Sequence, residues 1–379
     1  MGGATVQQFG NPAEGNAITI ESDGTIVVAG EVSRSRRSSQ FAVVRYTKSG
    51  EVDSAFGRDG HVSTKFGIGR TTSFVTSIVS LSNGKVLAAG DGDGQMAFAR
   101  YTANGGLDPR FGHDGKRRVL FAKAGSIVSG LVVQPDGKTV AAGTVFRRNP
   151  GDQLALVRLQ GDGSLDHSFG GDGRVRTSLS GNVDARGVAL QEDGKIVVVG
   201  IGDPTPGVRG SSLVVVRYLP NGSLDAGFGQ GGVVRQIIGE DEPTGIAIAP
   251  DGGILLLTRD AVGRLTTDGS FDAEFGNQGW RGIGDGDFSA LVIQSDGRIV
   301  LGGESIDCTF ALWRVLPDGT MDDSFGDGGE STVPVPNHEF GVYRGLALQA
   351  DGKILAAGTA TATACGIDEA VAVARYLDT

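Results

Sequence analysis

The chain has 379 residues, a formal net charge of −10 and 64 glycines. The acidic balance and the lack of a Lys/Arg tract argue against nucleic acid or an anionic membrane as the main partner. No apolar run approaches the ~20 residues of a membrane helix, and the first residues do not form a secretion signal, so we expect no membrane insertion.

A repeat fills almost the whole chain. No composition shift or linker divides the sequence, although this length ordinarily suggests two or three domains. Instead, an Asp-Gly or Asn-Gly turn precedes an apolar segment with a period of roughly 45 to 60 residues. The turn glycines of the seven copies are Gly24, Gly84, Gly137, Gly194, Gly252, Gly297 and Gly352. We therefore predict one domain of seven repeats over residues 1–379.

The N-terminal segment 1–10 is the first predicted element. Its residues from Gly2 to Gly10 align with the β-branched strand from Gly231 to Gly239. The last unit, 343–379, stops after its third strand and so lacks this element. We therefore predict that the N-terminal strand pairs into the last unit, which removes an unpaired edge that would otherwise invite aggregation.

Each unit then contains four short strands, which we name a to d. Strand a alternates in polarity, as in residues 187–191, and a tight turn follows in which glycine supplies a positive φ. Strand b, as in residues 196–200, is apolar on both faces, which predicts burial between neighbouring sheets. The loop after strand b varies freely in length, and strands c and d complete the unit.

Strand c and the segment after it contain the most regular sequence motif of the repeat. An arginine occurs in every unit, at Arg45, Arg100, Arg158, Arg217, Arg264, Arg314 and Arg375. An aspartate follows eight residues later in six units, at Asp53, Asp108, Asp166, Asp225, Asp272 and Asp322, and a Phe-Gly pair comes three residues after it. We predict a structural role in which the guanidinium group pairs with the carboxylate and ties strand c to the segment before strand d.

Four short strands per unit without helical periodicity indicate a stack of four-stranded sheets. A circular stack buries both faces of every sheet and leaves no exposed end unit. The predicted fold is therefore all-β, a seven-bladed β-propeller with four antiparallel strands per blade, closed by the N-terminal strand completing the last blade. The fifth unit departs most from the pattern, with Thr258 where the others have glycine.

The segments LQADGKILAAG, FAVVRYTKSGEVDSAFGRDGHV and LVVVRYLPNGSLDAGFGQGGVV resemble the bacterial delta-60 repeat over essentially the whole chain. This resemblance implies a β-propeller of the kind associated with surface and secreted proteins. It brings no shared catalytic residues that could be transferred to this sequence.

Residues that recur in every unit are expected to serve the scaffold, whereas a ligand usually contacts a few side chains that differ between the units. We therefore take unrepeated residues as the candidates for binding. Loops b–c and d–a should share one face of the propeller, and we place the position just before strand a at the channel mouth of that face. The seven residues at this position are Asn16, Thr76, Ser129, Arg186, Thr244, Ser289 and Arg344. The two arginines favour an anionic small molecule or an acidic glycan as the ligand of a binding or scaffolding module.

Two other functions remain open. A lyase-type enzyme could use His338, Tyr343 and Arg344 as acid, base and carboxylate clamp, although no nucleophile motif, zinc spacing or cofactor fingerprint is present. A protein-interaction platform could instead use the outer loops. We expect a monomer without a cofactor, and solvated turns at the acidic clusters 91–93, 240–242 and 285–287, which are the alternative places for calcium.

The two cysteines, Cys308 and Cys365, fall in corresponding loops of consecutive units. This placement allows a disulfide between neighbouring blades, with two unpaired thiols as the alternative. A disulfide would favour a secreted or cell-surface location.

Overall fold

The computed structural model describes residues 3–7, 11–35, 37–82, 84–121, 124–147, 151–204, 209–284, 286–305, 310–332, 340–361 and 370–376. These residues form 28 β-strands and no helix. Accordingly, the described part of the chain contains no helix of the length and apolarity that crossing a membrane requires.

The strands form seven four-stranded sheets within the described residues, and neighbouring strands in every sheet are antiparallel. We call each sheet a blade and number the blades along the chain. The fold is a seven-bladed β-propeller, which confirms the predicted fold class.

The chain divides into two compact units. Unit 1 comprises residues 1–119, 285–316 and 321–379, and unit 2 comprises residues 120–284 and 317–320. Whether 1–379 behaves as one domain stays a prediction.

Unit 1 contains blades 1, 2, 6 and 7. Blade 1 consists of β2 (Ala13–Ile20), β3 (Ile26–Ser35), β4 (Ser38–Tyr46) and β5 (His61–Thr64), and blade 2 of β6 (Ser73–Leu81), β7 (Lys85–Gly92), β8 (Met96–Tyr101) and β9 (Lys116–Val119). Blade 6 consists of β22 (Asp287–Ile293), β23 (Ile299–Glu304), β24 (Phe310–Val315) and β25 (Glu330–Thr332), and blade 7 of β26 (Phe340–Leu348), β27 (Ile354–Thr361), β28 (Ala370–Tyr376) and β1 (Gly3–Gln7).

Unit 2 contains blades 3, 4 and 5. Blade 3 consists of β10 (Gly125–Val133), β11 (Thr139–Phe146), β12 (Gln153–Leu159) and β13 (Arg174–Thr177). Blade 4 consists of β14 (Val183–Leu190), β15 (Ile196–Gly202), β16 (Ser211–Tyr218) and β17 (Val233–Gly239), and blade 5 of β18 (Pro243–Ile248), β19 (Ile254–Thr258), β20 (Ala261–Leu265) and β21 (Trp280–Gly282).

The first strand of the chain completes the last blade. β1 pairs antiparallel with β28 over five residues, from Gly3 opposite Arg375 to Gln7 opposite Val371. This pairing gives blade 7 the fourth strand that its own unit lacks, as the N-terminal sequence predicts.

Strand b is buried on both faces, as its continuous apolar sequence predicts. In β15 the five residues from Ile196 to Gly200 are all buried. Within unit 2, Val198 of β15 belongs to the same apolar cluster as Ala142 of β11. Burying a valine or leucine side chain contributes about 1.5–3 kcal/mol, so this blade-to-blade packing is a main source of stability.

Strand a begins earlier than the sequence predicts. The alternating segment 187–191 predicts that strand a opens at Gly187, but β14 begins at Val183, and β26 of the last unit begins at Phe340. A β-bulge lies inside each of these strands, between Ala185 and Gly187 in β14. The extra residue of a bulge shifts the two-residue alternation by one position, which hides the first half of the strand from a periodicity argument.

Candidate functional site

The repeated arginine of strand c forms an ion pair within its own blade. In six of the blades that the structure describes, its Nε lies 2.7–2.9 Å from the Oδ2 of the aspartate eight residues on; the pairs are Arg45–Asp53, Arg100–Asp108, Arg158–Asp166, Arg217–Asp225, Arg264–Asp272 and Arg314–Asp322. The guanidinium group also lies 4.4–4.8 Å from the ring centroid of the Phe-Gly phenylalanine in five of these blades. Such contacts hold the segment before strand d in place.

The same arginines reach the next blade. Arg158 Nη1 donates to the carbonyl of Pro220 at 2.6 Å, and Arg217 Nη1 donates to the carbonyl of Thr267. Arg375 donates to the carbonyl of Lys48 at 3.4 Å. These arginines therefore join consecutive blades within each unit.

A basic residue directly after the a–b turn glycine is a third member of this network that the sequence argument missed. Lys85, Lys138, Lys195 and Arg298 lie 2.7, 3.2, 3.6 and 3.2 Å from the repeated aspartates Asp108, Asp166, Asp225 and Asp322. The sequence signal is the basic residue that follows the turn glycine in these four units, whereas the Asp-Gly or Asn-Gly pair itself predicts only the turn.

The two positive partners change the acidity of the aspartate. Burial alone would raise the pKa of the Asp166 carboxyl, but hydrogen bonds from Ser168 and Lys138 and the charge of Arg158 outweigh it and hold the pKa below its usual range. The pKa of Asp322 is lowered in the same way, where bonds from Ser324 and Arg314 overcome burial. These carboxylates are charged at neutral pH.

The seven candidate ligand-binding residues share one structural position, which differs from the expected one. They do not precede strand a but lie inside it, each at the β-bulge: Asn16, Thr76, Ser129, Arg186, Thr244, Ser289 and Arg344. A bulge leaves its extra residue outside the regular ladder and re-aims its side chain, which is why bulges are common beside binding sites.

Several bulge residues hold the scaffold. Asn16 Nδ2 donates to the carbonyl of Val75 at 3.1 Å, which links blade 1 to the bulge of blade 2. The hydroxyls of Thr76 and Thr244 lie 3.3 and 3.4 Å from carbonyls of strand b in their own blades. These three side chains therefore already serve the fold.

Arg186 and Arg344 are the exposed members of the set. In unit 2, Arg186 Nη2 lies 3.6 Å from Glu242 Oε2, and its side chain keeps 39% of its surface exposed. Arg259 Nη2 reaches the same oxygen at 3.3 Å with 53% of its side chain exposed. Two guanidinium groups thus meet at one carboxylate oxygen. In unit 1, Arg344 is exposed on β26.

Acidic groups surround this cluster. Burial raises the pKa of Asp184, and the nearby Arg186 charge only partly offsets the effect. Burial also raises the pKa of Asp260, and the hydrogen bond and negative charge of the neighbouring Asp241 add to this effect. Among the described residues, however, no three His, Cys, Asp or Glu side chains are grouped so that they could hold a metal ion.

The catalytic candidates cannot be assembled from the described residues. His338 lies outside them, as do Cys308 and Cys365 with their predicted disulfide, and only the backbone of Tyr343 is described. The lyase-type function therefore stays a prediction.

The remaining histidines lie in or beside the c–d segments. His113 and His167 are exposed, and His61 is the first residue of β5 and half-buried. Nothing in their placement indicates a site.

The sequence profile described as "Domain of unknown function (DUF5122) beta-propeller" matches residues 21–56, 81–111, 134–169, 191–228, 294–325 and 349–377. These segments make up just over half of the chain and correspond to every unit except the fifth, the one with Thr258. A comparison with curated proteins found no match.

Solved structures with similar folds have low sequence identity. A protein of unknown function from Dyadobacter fermentans is 11% identical, with 99% of this chain and 98% of that chain covered and a TM-score of 0.48. A gluconolactonase from Xanthomonas campestris is 16% identical, with coverages of 77% and 82% and a TM-score of 0.39. Regucalcin from Agrobacterium tumefaciens, a calcium-binding protein, is 14% identical, with coverages of 85% and 90% and a TM-score of 0.42. Likeness at this level says nothing about a ligand.

Proposed function

Because the chain belongs to the DUF5122 β-propeller family, we propose that it is a binding module whose ligand contacts the unrepeated bulge residues of strand a. The observation that carries the proposal is the exposed Arg186 at a bulge, where it shares Glu242 with Arg259. The repeated arginines, by contrast, are enclosed in their own ion pairs. The resemblance to the delta-60 repeat supports a surface or secreted setting for such a module.

The charges at this cluster favour an anionic ligand. Two guanidinium groups contact a single Glu242 oxygen, so two cations face one carboxylate at these contacts. Of the carboxyls nearby, Asp184 and Asp260 have pKa values raised by burial, which favours their neutral form. A guanidinium group offers a planar fork of donors that matches a carboxylate. The proposed ligand is therefore a small molecule or glycan that carries carboxylate groups.

Titration with a galacturonate trimer, followed by calorimetry, tests this function. We expect Arg186→Ala to weaken binding about ten-fold, because it removes one of the two cations. Glu242→Gln should strengthen binding about two- to five-fold, because the competing negative charge is lost. Binding to the unmodified chain should also weaken as salt rises.

Arg58→Ala provides the matched control, because the Arg58 side chain is 93% exposed in the c–d segment of blade 1. It should leave the affinity unchanged, and Arg344→Ala tests the bulge of blade 7 in unit 1 separately. If Arg186→Ala binds the trimer as well as the unmodified chain does, or if Glu242→Gln weakens binding, the anionic site at blades 4 and 5 is wrong.

A further inference from the structure

An open cavity of about 560 Å³ lies in unit 2 between blades 4 and 5, at the end of the blades where the a–b turns and c–d segments lie. Its walls come from the a–b turn residues 191–195 and 249–252 and from the c–d segments at Gly227, Thr267 and Asp268. The volume is within the range of small-molecule sites, roughly 300–1,000 Å³.

Gly227 helps to leave this space open. The corresponding residue is Arg110 in blade 2, Ser168 in blade 3 and Glu274 in blade 5. A Cβ at Gly227 would meet only Asp225 Oδ1 within ordinary contact distance, at 3.4 Å, so the backbone there accepts a side chain. Blade 4 therefore has the smallest residue of the repeat at this position.

The cavity walls carry more carboxylates than cations. Lys195 is paired with Asp193 at 2.9 Å, and Arg217 with Asp225 at 2.8 Å. Glu192 and Asp268 also line the cavity, and neither has an ion-pair partner in the described part of the chain. Hydrogen bonds from Thr266 and Ser270 lower the pKa of Asp268, which is therefore charged at neutral pH.

One buried amide also faces the cavity. Gln191 lines it with only 8% of its surface exposed. Its Oε1 accepts a hydrogen bond from Arg217 at 3.5 Å, whereas its Nε2 has no acceptor among the residues described. This amide N–H remains free to donate into the cavity, where a ligand hydroxyl can accept it.

The wall is also fixed in place. The Asp268 carbonyl accepts a hydrogen bond from Gly229 N of blade 4 at 2.9 Å, and the adjacent Thr267 carbonyl accepts one from Arg217. Little ordering of the wall is then needed when a ligand enters, which favours binding.

We propose that this cavity binds a small hydroxyl-rich organic cation of the amino-sugar class, with Glu192 and Asp268 attracting its ammonium group and Gln191 donating to a hydroxyl. A protonated polyamine would leave the Gln191 amide without an acceptor. A metal ion does not fit either, because no metal-binding group of His, Cys, Asp or Glu exists among the described residues. The site is separate from the Arg186 cluster.

Three sugars of different charge, two of them dimers with the same linkage, test the proposal by calorimetry on the full chain. The β-1,4-linked glucosamine dimer should bind with a Kd of about 1 mM or below. Cellobiose, the neutral dimer with the same linkage, should bind about ten-fold more weakly, and glucuronic acid should not bind. Equal affinity for the two dimers, or no binding of the glucosamine dimer at all, contradicts the proposal.

Repeat-matched variants locate the site. Asp268→Asn introduces asparagine, which blades 2 and 4 already have at the corresponding turn position as Asn104 and Asn221. This change should weaken binding of the glucosamine dimer about three- to five-fold without changing binding of cellobiose. The same change at the corresponding turn of blade 3, Asp162→Asn, should have no effect. Gly227→Arg, which copies Arg110, should abolish binding of both dimers while the melting temperature stays within a few degrees.

The outcomes separate this site from the proposed function. Arg186→Ala should leave binding of the glucosamine dimer unchanged, and Gly227→Arg should leave binding of the galacturonate trimer unchanged. If Asp268→Asn and Gly227→Arg both bind the glucosamine dimer as the unmodified chain does, the cavity is not its site.

Discussion

The tyrosines that follow the repeated arginine are buried, but their hydroxyl groups differ. Tyr101 Oη donates to Thr64 Oγ1 at 2.7 Å, which joins strand c of blade 2 to strand d of blade 1. Tyr46 Oη is equally buried but has no hydrogen-bond partner among the described residues. Burial raises the pKa of both phenols, so each stays neutral. The hydroxyl group of the repeated tyrosine is therefore hydrogen-bonded in blade 2 but has no partner among the described residues in blade 1.

Replacing these tyrosines by phenylalanine should give opposite results. Tyr101→Phe should lower the free energy of unfolding by about 1–2 kcal/mol, because Thr64 loses its buried partner. Tyr46→Phe should leave it unchanged or raise it by up to about 1 kcal/mol, because an unsatisfied hydroxyl is removed. Denaturant unfolding of the two variants, both in unit 1, checks the difference. Equal losses would show that the Tyr101 hydrogen bond contributes nothing.

At the residue scale, the sequence distinguished the candidate residues from the repeated scaffold residues but did not predict their partners. The separation of repeated from unrepeated residues identified Arg186 and Arg344, which are the exposed bulge residues. It could not predict that Glu242 reaches Arg186, because the two lie in different blades and no periodic pattern connects them. Side-chain partners across blades depend on tertiary packing, which a single sequence does not encode in any local signal.

At the scale of the strand, the β-bulge explains a glycine that the repeat keeps in strand b. A Cβ on Gly90 would lie 2.0 Å from the carbonyl oxygen of Phe74, just before the bulge of strand a, and one on Gly30 would lie 1.9 Å from the carbonyl of Glu14. Blade 5 has threonine in place of this glycine. Its strand a, β18, begins only at Pro243, and the buried Thr258 of β19 lies opposite this first residue. The departure seen in the fifth unit therefore accompanies a shortened strand a.

Gly90→Ala should be strongly destabilising. The new methyl group would overlap a backbone carbonyl that cannot rotate away, and we expect a loss of roughly 2–3 kcal/mol. Gly282→Ala is the control, because Gly282 is also in a strand and a Cβ there meets no atom within 4 Å. It should be neutral or stabilise by about 0.5 kcal/mol. Similar melting temperatures for the two variants would contradict the packing explanation.

The strands also show why sequence reasoning succeeded for the fold and failed at one boundary. Strand b and the turn glycines gave strong signals because every unit repeats them, so strand number and pairing order could be predicted. The start of strand a was missed at Val183, since the bulge puts the residues before and after Arg186 in opposite phases of the alternation. Irregularities of this kind are invisible to a periodic pattern although they position the candidate site.

Across the whole molecule, paired carboxylates dominate the titration below neutral pH. Bonds to basic and hydroxyl partners overcome burial and lower the pKa of a repeated aspartate in four blades, at Asp108, Asp166, Asp225 and Asp322. Other carboxyls, such as Glu31 and Asp91, have pKa values raised by burial and favour the folded state when protonated. We therefore expect the free energy of unfolding to change little as pH falls from 7 to about 5. Over this range the carboxyls with raised pKa values stabilise the folded state as they gain protons, which offsets the first losses from the paired aspartates.

Below about pH 4 the repeated aspartates should control unfolding. A lowered folded-state pKa contributes stability that is complete above the unfolded pKa of about 3.9 and disappears as pH falls through the folded value. Asp166→Asn should therefore cost about 2–4 kcal/mol at pH 7, where Lys138 and Arg158 lose their anion, and much less at pH 2. Denaturant midpoints measured between pH 2 and 7 test this, with Asp59→Asn, whose side chain is 85% exposed, as the control. A deficit in Asp166→Asn that stays constant across this range would mean that the carboxylate charge does not stabilise the blades.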